Sequence, residues 1–345
     1  MFSAMKNAMN PDLPRSIFKE YCDLYKKIGA GINTIKYLDE NQALYKELTM
    51  KEDVFYLFRT FFNDYNLSDT RLKQISESKF IDSPKNTQEI IAINIRKIFD
   101  SIENGTSFKV DTREIQDLAL LITKHSAYPN TLKKHEKNEI SYRERLEKLT
   151  NEYNKLIKEN DVERIYLNIA FYIDLMKLSP FKYYNDVVAI IVLYCLMIES
   201  EIESIRYYSF FKALSQKKKE LKDSCLQAFY HYEEGISDFT KTSRIFLNIL
   251  KDSYASLEDL YNNLAFDKQL KKIKNVEVVI YSLNETFTKE DIRKKLPGVS
   301  DSTIDRSLKK LSDEGKIVPF GRGRSAKWLR IDHSFDEKTD FSINF

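Results

Sequence analysis

Apolar residues recur at helical spacing through most of the chain, up to about residue 265. In residues 16–32, Ile17, Tyr21, Leu24 and Ile28 lie three or four positions apart, which is the spacing of one face of an α-helix. The same spacing continues over residues 54–61, 86–102, 112–122, 141–160, 161–178, 184–200, 215–233 and 240–265. These stretches predict a mainly α protein.

Two strongly apolar helices are predicted near the centre of the chain, over residues 161–178 and 184–200, with a hinge at Ser179-Pro180 between them. The most apolar run, from Val187 to Ile198, is twelve residues long, whereas a membrane span needs roughly 20 apolar residues. We therefore expect a helix buried on all sides, and no membrane partner. Residues 127–139 are polar and predict a loop or a short hairpin.

The pattern changes near residue 270, where glycines and alternating apolar residues appear. A short apolar helix is predicted over residues 276–285, and a second helix follows its N-cap, Thr288. Pro297-Gly298-Val299 predicts a tight turn, after which Ser300 caps a third helix and Gly315 ends it. Two strands, KIVPF and KWLRI, then flank the turn GRGRSA. This order is typical of a winged helix-turn-helix.

Composition is consistent with these elements. The chain has 345 residues, 42% of them hydrophobic and 13% aromatic, which supplies a sizeable core and excludes global disorder. Its 8 glycines and 7 prolines are too few for the many turns of a sheet-rich protein. We predict an N-terminal helical segment (residues 1–70), a helical domain (71–268), a small winged helix with a β-hairpin wing (269–335) and a tail (336–345).

The cysteines and histidines give no indication of a metal site or a disulfide. Cys22, Cys195 and Cys225 lie far apart and form neither a CxxC pair nor a disulfide framework. The four histidines share no metal-ligand spacing with the cysteines or with each other. We therefore expect a cytoplasmic protein that needs no metal and no cofactor.

The strongest functional signal is the charge on the predicted winged helix. The whole chain has a net charge of only +3, yet residues 286–330 carry twelve basic and six acidic side chains. The third helix and the wing present side chains of the kinds that contact phosphates and base edges, namely Ser302, Thr303, Arg306, Lys309, Lys310, Arg322, Arg324 and Lys327. They predict double-stranded DNA as the ligand. A role as a protein–protein adaptor stays open, because Asp301 and Asp305 lie where phosphates would approach.

Residues 178–197, LSPFKYYNDVVAIIVLYCLM, resemble the active-site segment of the Fic (Fido) family. The family signature runs His-Pro-Phe, any residue, an acid, Gly-Asn-Gly-Arg, two residues and Arg, followed by an apolar helix. The helix pair before it (150–176) and the turn into the last helix (233–250) also resemble the family, in which a following winged helix is a familiar arrangement. The resemblance covers about residues 70–330 and implies an all-helical, Fic-like core.

The resemblance also implies that the catalytic residues of the family have been lost. The family's base, magnesium-binding acid, two glycines and two arginines correspond to Ser179, Tyr183, Tyr184, Asp186, Val187 and Ile190. A serine cannot take a proton at neutral pH without a base of its own, and the other replacements remove the metal ligand and the basic partners of a phosphate. Pro180, Phe181 and Asn185 are retained. AMP transfer by the family mechanism is therefore not expected, and the segment is interpreted as a turn and helix kept for packing.

The family's inhibitory motif has a degraded counterpart in residues 76–90. Ser78, Asp82 and Ser83 resemble that motif, whose Glu pairs in the family with the second signature arginine. Ile190 occupies the position of this arginine, so Asp82 would have nothing to restrain. The resemblance thus implies that both halves of the switch were lost together, as in a pseudoenzyme.

Three functions follow from these observations. The preferred one is a bacterial-type transcription regulator, in which the winged helix binds DNA and the Fic-like body forms a homodimer surface or senses a ligand or partner. The second is a divergent AMP or nucleotidyl transferase that would use Ser179, Asn185, Asp186 and His231. The third is an interaction or inhibitor protein on a Fic scaffold, carried by a mobile element or a phage and bound to a protein partner.

Overall fold

The computed structural model describes residues 2–9, 15–41, 43–62, 66–77, 84–134, 139–265, 276–297, 299–320 and 327–331. Over these residues the chain is mainly helical and has one small antiparallel sheet, which confirms the predicted mainly α class. The chain divides into two compact units, Met1–Leu260 and Tyr261–Phe345.

The first unit is built from helices. They are α1 (Ser3–Met9), α2 (Arg15–Asn41), α3 (Ala43–Phe61), α4 (Asp69–Glu77), α5 (Thr87–Glu103), α6 (Thr112–Ile122), α7 (Tyr142–Glu159), α8 (Arg164–Leu178), α9 (Asn185–Glu199), a short 3-10 helix (Glu203–Arg206), α10 (Phe210–Gln216), α11 (Lys218–Ala228) and α12 (Thr240–Ala265). Helix α3 packs against α5 and α10, and α8 packs against α1, α7 and α9.

Helix α9 lies in the core of this unit because it is apolar on every side. Every residue from Val187 to Met197 is buried. Rings from α5 and α10 pack on it: Phe99 and Phe211 lie 5.5 and 5.4 Å from Tyr194, centroid to centroid. Each fully buried side chain of this size stabilises the fold by about 1.5–3 kcal/mol. Among the described residues, no helix is long and apolar enough to cross a membrane.

Helix α1 is fastened to this core by a buried carboxylate. Asp174 in α8 accepts hydrogen bonds from the backbone N–H groups of Ala4 and Met5, both at 2.9 Å, and from the hydroxyl of Tyr232 at 2.6 Å. Burial raises the pKa of Asp174 to about 7, despite these three donors. The first residues of the described chain are therefore part of the same packed unit as α8.

The helix predicted over residues 215–233 is wrong in its bounds. The structure has α10 ending at Gln216 and α11 ending at Ala228, and residues 229–237 form a turn. Apolar spacing continues into this turn, but the chain reverses direction there: His231 and Ile236 form an antiparallel bridge, and Gly235 between them has a φ of 78°. By contrast, α12 has the predicted bounds, 240–265.

The described residues of the second unit form short helices and three strands. It is helical over residues 276–282 (α13) and continues with β1 (Thr286–Thr288), α14 (Lys289–Lys295), α15 (Asp301–Asp313), β2 (Ile317–Phe320) and β3 (Lys327–Arg330). The strands form an antiparallel sheet in the order β1-β3-β2. Ile304, Leu308 and Leu311 of α15 are buried, as their spacing predicts.

The ends of these helices largely follow the predicted signals. Thr288 and Asp291 form a reciprocal capping box at the start of α14. Gly315 follows α15 with a φ of 70°, as expected for a residue that ends a helix. Ser300 precedes α15 but its hydroxyl caps no backbone amide; it bonds to the hydroxyls of Ser302 and Thr303 instead.

Candidate functional site

The segment between α8 and α9, residues 179–184, contains two residues with left-handed backbones. Ser179 ends α8 with a φ of 44°, and Tyr184 precedes α9 with a φ of 52°. Residues other than glycine rarely adopt this backbone conformation. Contacts hold the segment in place: the ring of Tyr184 lies 5.1 Å from that of Phe62 between centroids. The loop therefore keeps a conformation suited to glycine although a tyrosine occupies it.

Two of the retained residues have structural contacts. The side chain of Asn185 accepts a hydrogen bond from the Phe181 N–H (2.8 Å) and donates one to the Phe181 carbonyl (2.7 Å), which closes the loop. The ring of Phe181 is 1% exposed and belongs to the core. Asn185 and Phe181, which match the family signature, therefore have a packing role in this chain.

Residues 131–133 run alongside this loop. The N–H of Lys133 donates to the Pro180 carbonyl (2.9 Å), and the N–H of Lys182 donates to the Thr131 carbonyl (3.0 Å). Leu132 and Phe181 form the antiparallel bridge between them. The polar stretch that the sequence predicts as a loop or hairpin is thus paired, over its described part, with the signature-like segment.

The polar side chains proposed for a divergent transferase are in contacts that do not activate a nucleophile. The hydroxyl of Ser179 accepts a hydrogen bond from Lys133 Nζ at 3.4 Å, and an ammonium group cannot remove its proton. His231 lies in the turn after α11, where its Nδ1 is 3.0 Å from Glu234. The structure gives no hydrogen bond between Ser179 and His231 among the described residues.

Asp186 places a negative charge in the first turn of α9. Its carboxylate accepts a hydrogen bond from the Val187 N–H at 2.9 Å, so an anion of the chain itself occupies the positive end of the helix. The residue is exposed to solvent, yet partial burial of its carboxyl group raises its pKa above the usual range. Val187 and Ile190, at the two arginine positions of the resemblance, are completely buried.

The second candidate site is the outward face of α15. Ser302, Arg306 and Lys309 are exposed, and Thr303 and Lys310 are half-exposed. Lys310 forms ion pairs with Glu277 and Glu314, both at 3.7 Å. Arg306 and Lys309 have no ion-pair partner among the described residues, and Lys327 on β3 is also exposed.

The acids on α15 are paired with bases on α14. Arg293 binds Asp301 at two points, through Nε at 2.9 Å and Nη2 at 2.6 Å. These hydrogen bonds hold the pKa of Asp301 below its usual range. Lys289 forms an ion pair with Asp305. Asp301 and Asp305, which were expected to lie where phosphates would approach, are therefore both neutralised by bases of α14.

Arg330, one of the twelve basic residues between positions 286 and 330, is not on the surface. Arg330 is 5% exposed and donates to the backbone carbonyls of Tyr281 (2.9 Å) and Leu283 (3.4 Å). Because these carbonyls lie at the end of α13, the guanidinium has a structural role and does not contribute to the exposed basic surface. Other predicted site residues, Ser78, Asp82, Ser83, Arg322 and Arg324, lie outside the described residues.

Metal-binding side chains do not cluster in the described ranges, where no group of three or more His, Cys, Asp or Glu residues could hold an ion. The cysteines there are free thiols. Burial raises the pKa of Cys195 to about 12 and that of Cys225 to about 11, which keeps both thiols protonated and unreactive at neutral pH.

Comparison with known proteins identifies the fold. No known sequence family and no curated protein matches the chain. Its structure is similar to the crystal structure of a Fic family protein from Desulfovibrio desulfuricans G20, with a TM-score of 0.54 and 10% sequence identity, over 93% of this chain and 97% of that one. At this identity the likeness concerns the fold alone, and it supports the Fic-like fold that the signature-like segment implied.

Proposed function

We propose that the second unit is a winged helix-turn-helix that binds double-stranded DNA through α15, and that the first unit is a Fic-like scaffold without the AMP-transfer chemistry of that family. The observation that carries the proposal is the pattern of ion pairs on the second unit. Arg306 and Lys309 are exposed and unpaired in the described chain, whereas Asp301 and Asp305 are paired with bases of α14.

The order of elements supports the winged-helix assignment. Three helical segments, α13, α14 and α15, precede a β-hairpin whose second strand, β3, lies between β1 and β2. The apolar face of α15 fixes its orientation, because Ile304, Leu308 and Leu311 are buried. Asp305, Arg306 and Lys309, on the opposite side, are exposed to solvent, as a helix that enters the major groove requires.

The spacing of the exposed side chains on α15 suits a duplex. Ser302, Arg306 and Lys309 follow one another at intervals of four and three along α15, so they share one face of the helix. Arginine, lysine and serine all suit phosphate oxygens, and arginine can also contact guanine at two points. Because Asp301 and Asp305 are neutralised, their repulsion of phosphates is reduced.

The loss of transferase chemistry rests on the contacts of the signature-like segment. Ser179 is hydrogen-bonded to an ammonium group, Asp186 fills the positive end of α9 with its own carboxylate, and Val187 is buried. A triphosphate would meet a like charge there and, within the segment itself, no arginine.

Fluorescence anisotropy with a random-sequence duplex, at two salt concentrations, tests the proposal. We expect salt-dependent binding by the full chain, and a loss of about two units in the slope of log affinity against log salt in Arg306→Ala/Lys309→Ala, because each phosphate contact contributes about 0.9. The matched control is Lys219→Ala/Lys222→Ala, which removes two exposed charges from α11. Absence of binding by the full chain, or an equal loss in the control, overturns the proposal and favours a protein–protein adaptor.

A further inference from the structure

Helices α11 and α12 lie side by side and enclose a groove of about 400 Å³. Their antiparallel arrangement is seen in two hydrogen bonds: Thr242 Oγ1 of α12 donates to Ser224 Oγ of α11 at 3.0 Å, and Ser237 Oγ, before α12, donates to the Ala228 carbonyl at the end of α11 at 2.9 Å. Ser224 is buried in the floor of the groove. The volume falls within the range of small-molecule sites, roughly 300–1,000 Å³.

The two walls of the groove carry opposite charges. The α11 wall presents Glu220, Asp223 and Gln227, and the α12 wall presents Lys241, Arg244 and Asn248. Each set is spaced by three and four residues, so each forms one stripe along its helix. Asp223 directly precedes Ser224, and Lys241 directly precedes Thr242. Because Ser224 and Thr242 are hydrogen-bonded across the two helices, Asp223 and Lys241 lie at about the same height along the groove.

These opposite charges do not neutralise each other. In the part of the chain that the structure describes, no ion pair joins the two walls. Arg244 is held instead by Glu20 (3.2 Å) and Ser16 (3.4 Å) of α2, and Glu220 is paired at 3.4 Å with Lys217, the residue before α11. Asp223 and Lys241 are exposed and have no partner there. An ammonium and a carboxylate therefore face the same groove with free hydrogen-bonding capacity.

We propose that this groove binds a small zwitterion of the amino-acid class. The ligand's carboxylate would bind Lys241, with Arg244 already oriented beside it by Glu20, and its ammonium group would bind Asp223. Gln227 and Asn248 supply neutral donors and acceptors for the remaining polar atoms. A purely anionic ligand would meet the acids of α11, and a purely cationic one the bases of α12, so only a molecule with both charges suits both walls.

Isothermal titration of the full chain, after a thermal-shift screen of the twenty common amino acids, tests this inference. The best amino acid is compared with its amide, which lacks the carboxylate, and with its N-acetyl derivative, which lacks the ammonium group. We expect each derivative to bind at least about tenfold more weakly, since each loses one charge-assisted contact. Asp223→Asn and Lys241→Gln should weaken the parent amino acid by a similar factor.

Each derivative should also respond to only one of the two variants. Residual binding of the amide should be sensitive to Asp223→Asn and insensitive to Lys241→Gln, and the N-acetyl derivative should show the reverse. Both positions are exposed, so circular dichroism should show folded variants, and Lys222→Gln on the same helix is the matched control. No binding of any amino acid, equal binding of the amide or the N-acetyl derivative, or affinities unchanged by both variants each overturn the inference.

Discussion

Arg293 and Asp301 form a two-point ion pair that joins α14 to the first turn of α15, with N···O distances of 2.9 and 2.6 Å. The pair links the two helices on the exposed surface of the second unit. Arg293 also contacts Glu290 at 3.1 Å, so its guanidinium is paired with one acid of α14 and one of α15.

Replacing Asp301 with Asn should therefore strengthen DNA binding. The change removes one negative charge next to the proposed phosphate path and leaves Arg293 paired with Glu290 alone, so we expect a tighter complex and a steeper salt dependence of affinity. Anisotropy titration against a random duplex at two salt concentrations measures both. Asp313→Asn, at the far end of α15, makes the same charge change without removing a partner of Arg293. An equal gain from Asp313→Asn would mean that net charge alone, and not this ion pair, controls the affinity.

The buried carboxylate of Asp174 predicts a specific dependence of stability on pH. Its pKa is raised from 3.8 to about 7, so the folded chain holds a proton that the unfolded chain releases. The stabilisation from this group is complete below pH 3.8 and is lost as the pH rises through 7. Between pH 5 and pH 8 the free energy of unfolding should fall by about 2–3 kcal/mol from this group.

Urea unfolding of the full chain and of Asp174→Asn at both pH values isolates this contribution. Asn carries no titratable proton, so the variant should lose less stability over the same interval. Other acids with raised pKa values, such as Asp53 and Glu163, are present in both proteins and cancel in the comparison. Parallel pH profiles of the two proteins would contradict the assigned pKa.

Local sequence patterns predicted the elements whose signals are short-range. The bounds of α12 follow from uninterrupted helical spacing, and the capping box of Thr288 and Asp291 is visible as two residues three apart. In contrast, β1 has only three residues, and its pairing partner, β3, begins at Lys327, so no local pattern identifies it. The sequence-based prediction omitted that strand for this reason.

Long-range contacts explain most of what the sequence could not show about the candidate sites. Asp174 binds the amides of Ala4 and Met5 across about 170 positions, and no periodicity links them. Arg330 is one of the twelve basic residues counted between residues 286 and 330, but it is buried and binds a carbonyl at the end of α13, a contact that no local pattern indicates. The signature-like segment was recognisable from Pro180, Phe181 and Asn185, but the pairing of residues 131–133 with it was not.

Asn185 should be required for the stability of the loop between α8 and α9. Asn185→Ala removes both hydrogen bonds to the backbone of Phe181, and we expect a loss of about 1–3 kcal/mol in the free energy of unfolding. Urea denaturation measures the loss. Asn151→Ala, at an exposed position of α7, is the control and should change stability by less than about 0.5 kcal/mol. Equal effects would mean that the loop is held by other contacts.

Asp186 should act as an internal anion that keeps other anions away from the start of α9. In the chain as it stands, its carboxylate is bound to the Val187 N–H. Replacing Asp186 with Gly removes the negative charge and exposes that amide, so sulfate should stabilise the variant more than the parent protein, with a gain in melting temperature of about 2 °C or more. The measurement is a thermal melt in sulfate and in chloride at equal ionic strength.

The same variant separates anion binding from catalysis. Val187 and Ile190 remain aliphatic and buried in Asp186→Gly, and Ser179 still contacts an ammonium group, so labelled ATP should transfer no label in either protein. Asp186→Asn keeps a side-chain oxygen that can accept the Val187 N–H, and it should respond to sulfate less than the glycine variant does. If sulfate stabilises the parent protein as much as Asp186→Gly, the carboxylate does not occupy the anion position. If label appears on the parent protein, the scaffold has retained a transferase activity that these contacts do not explain.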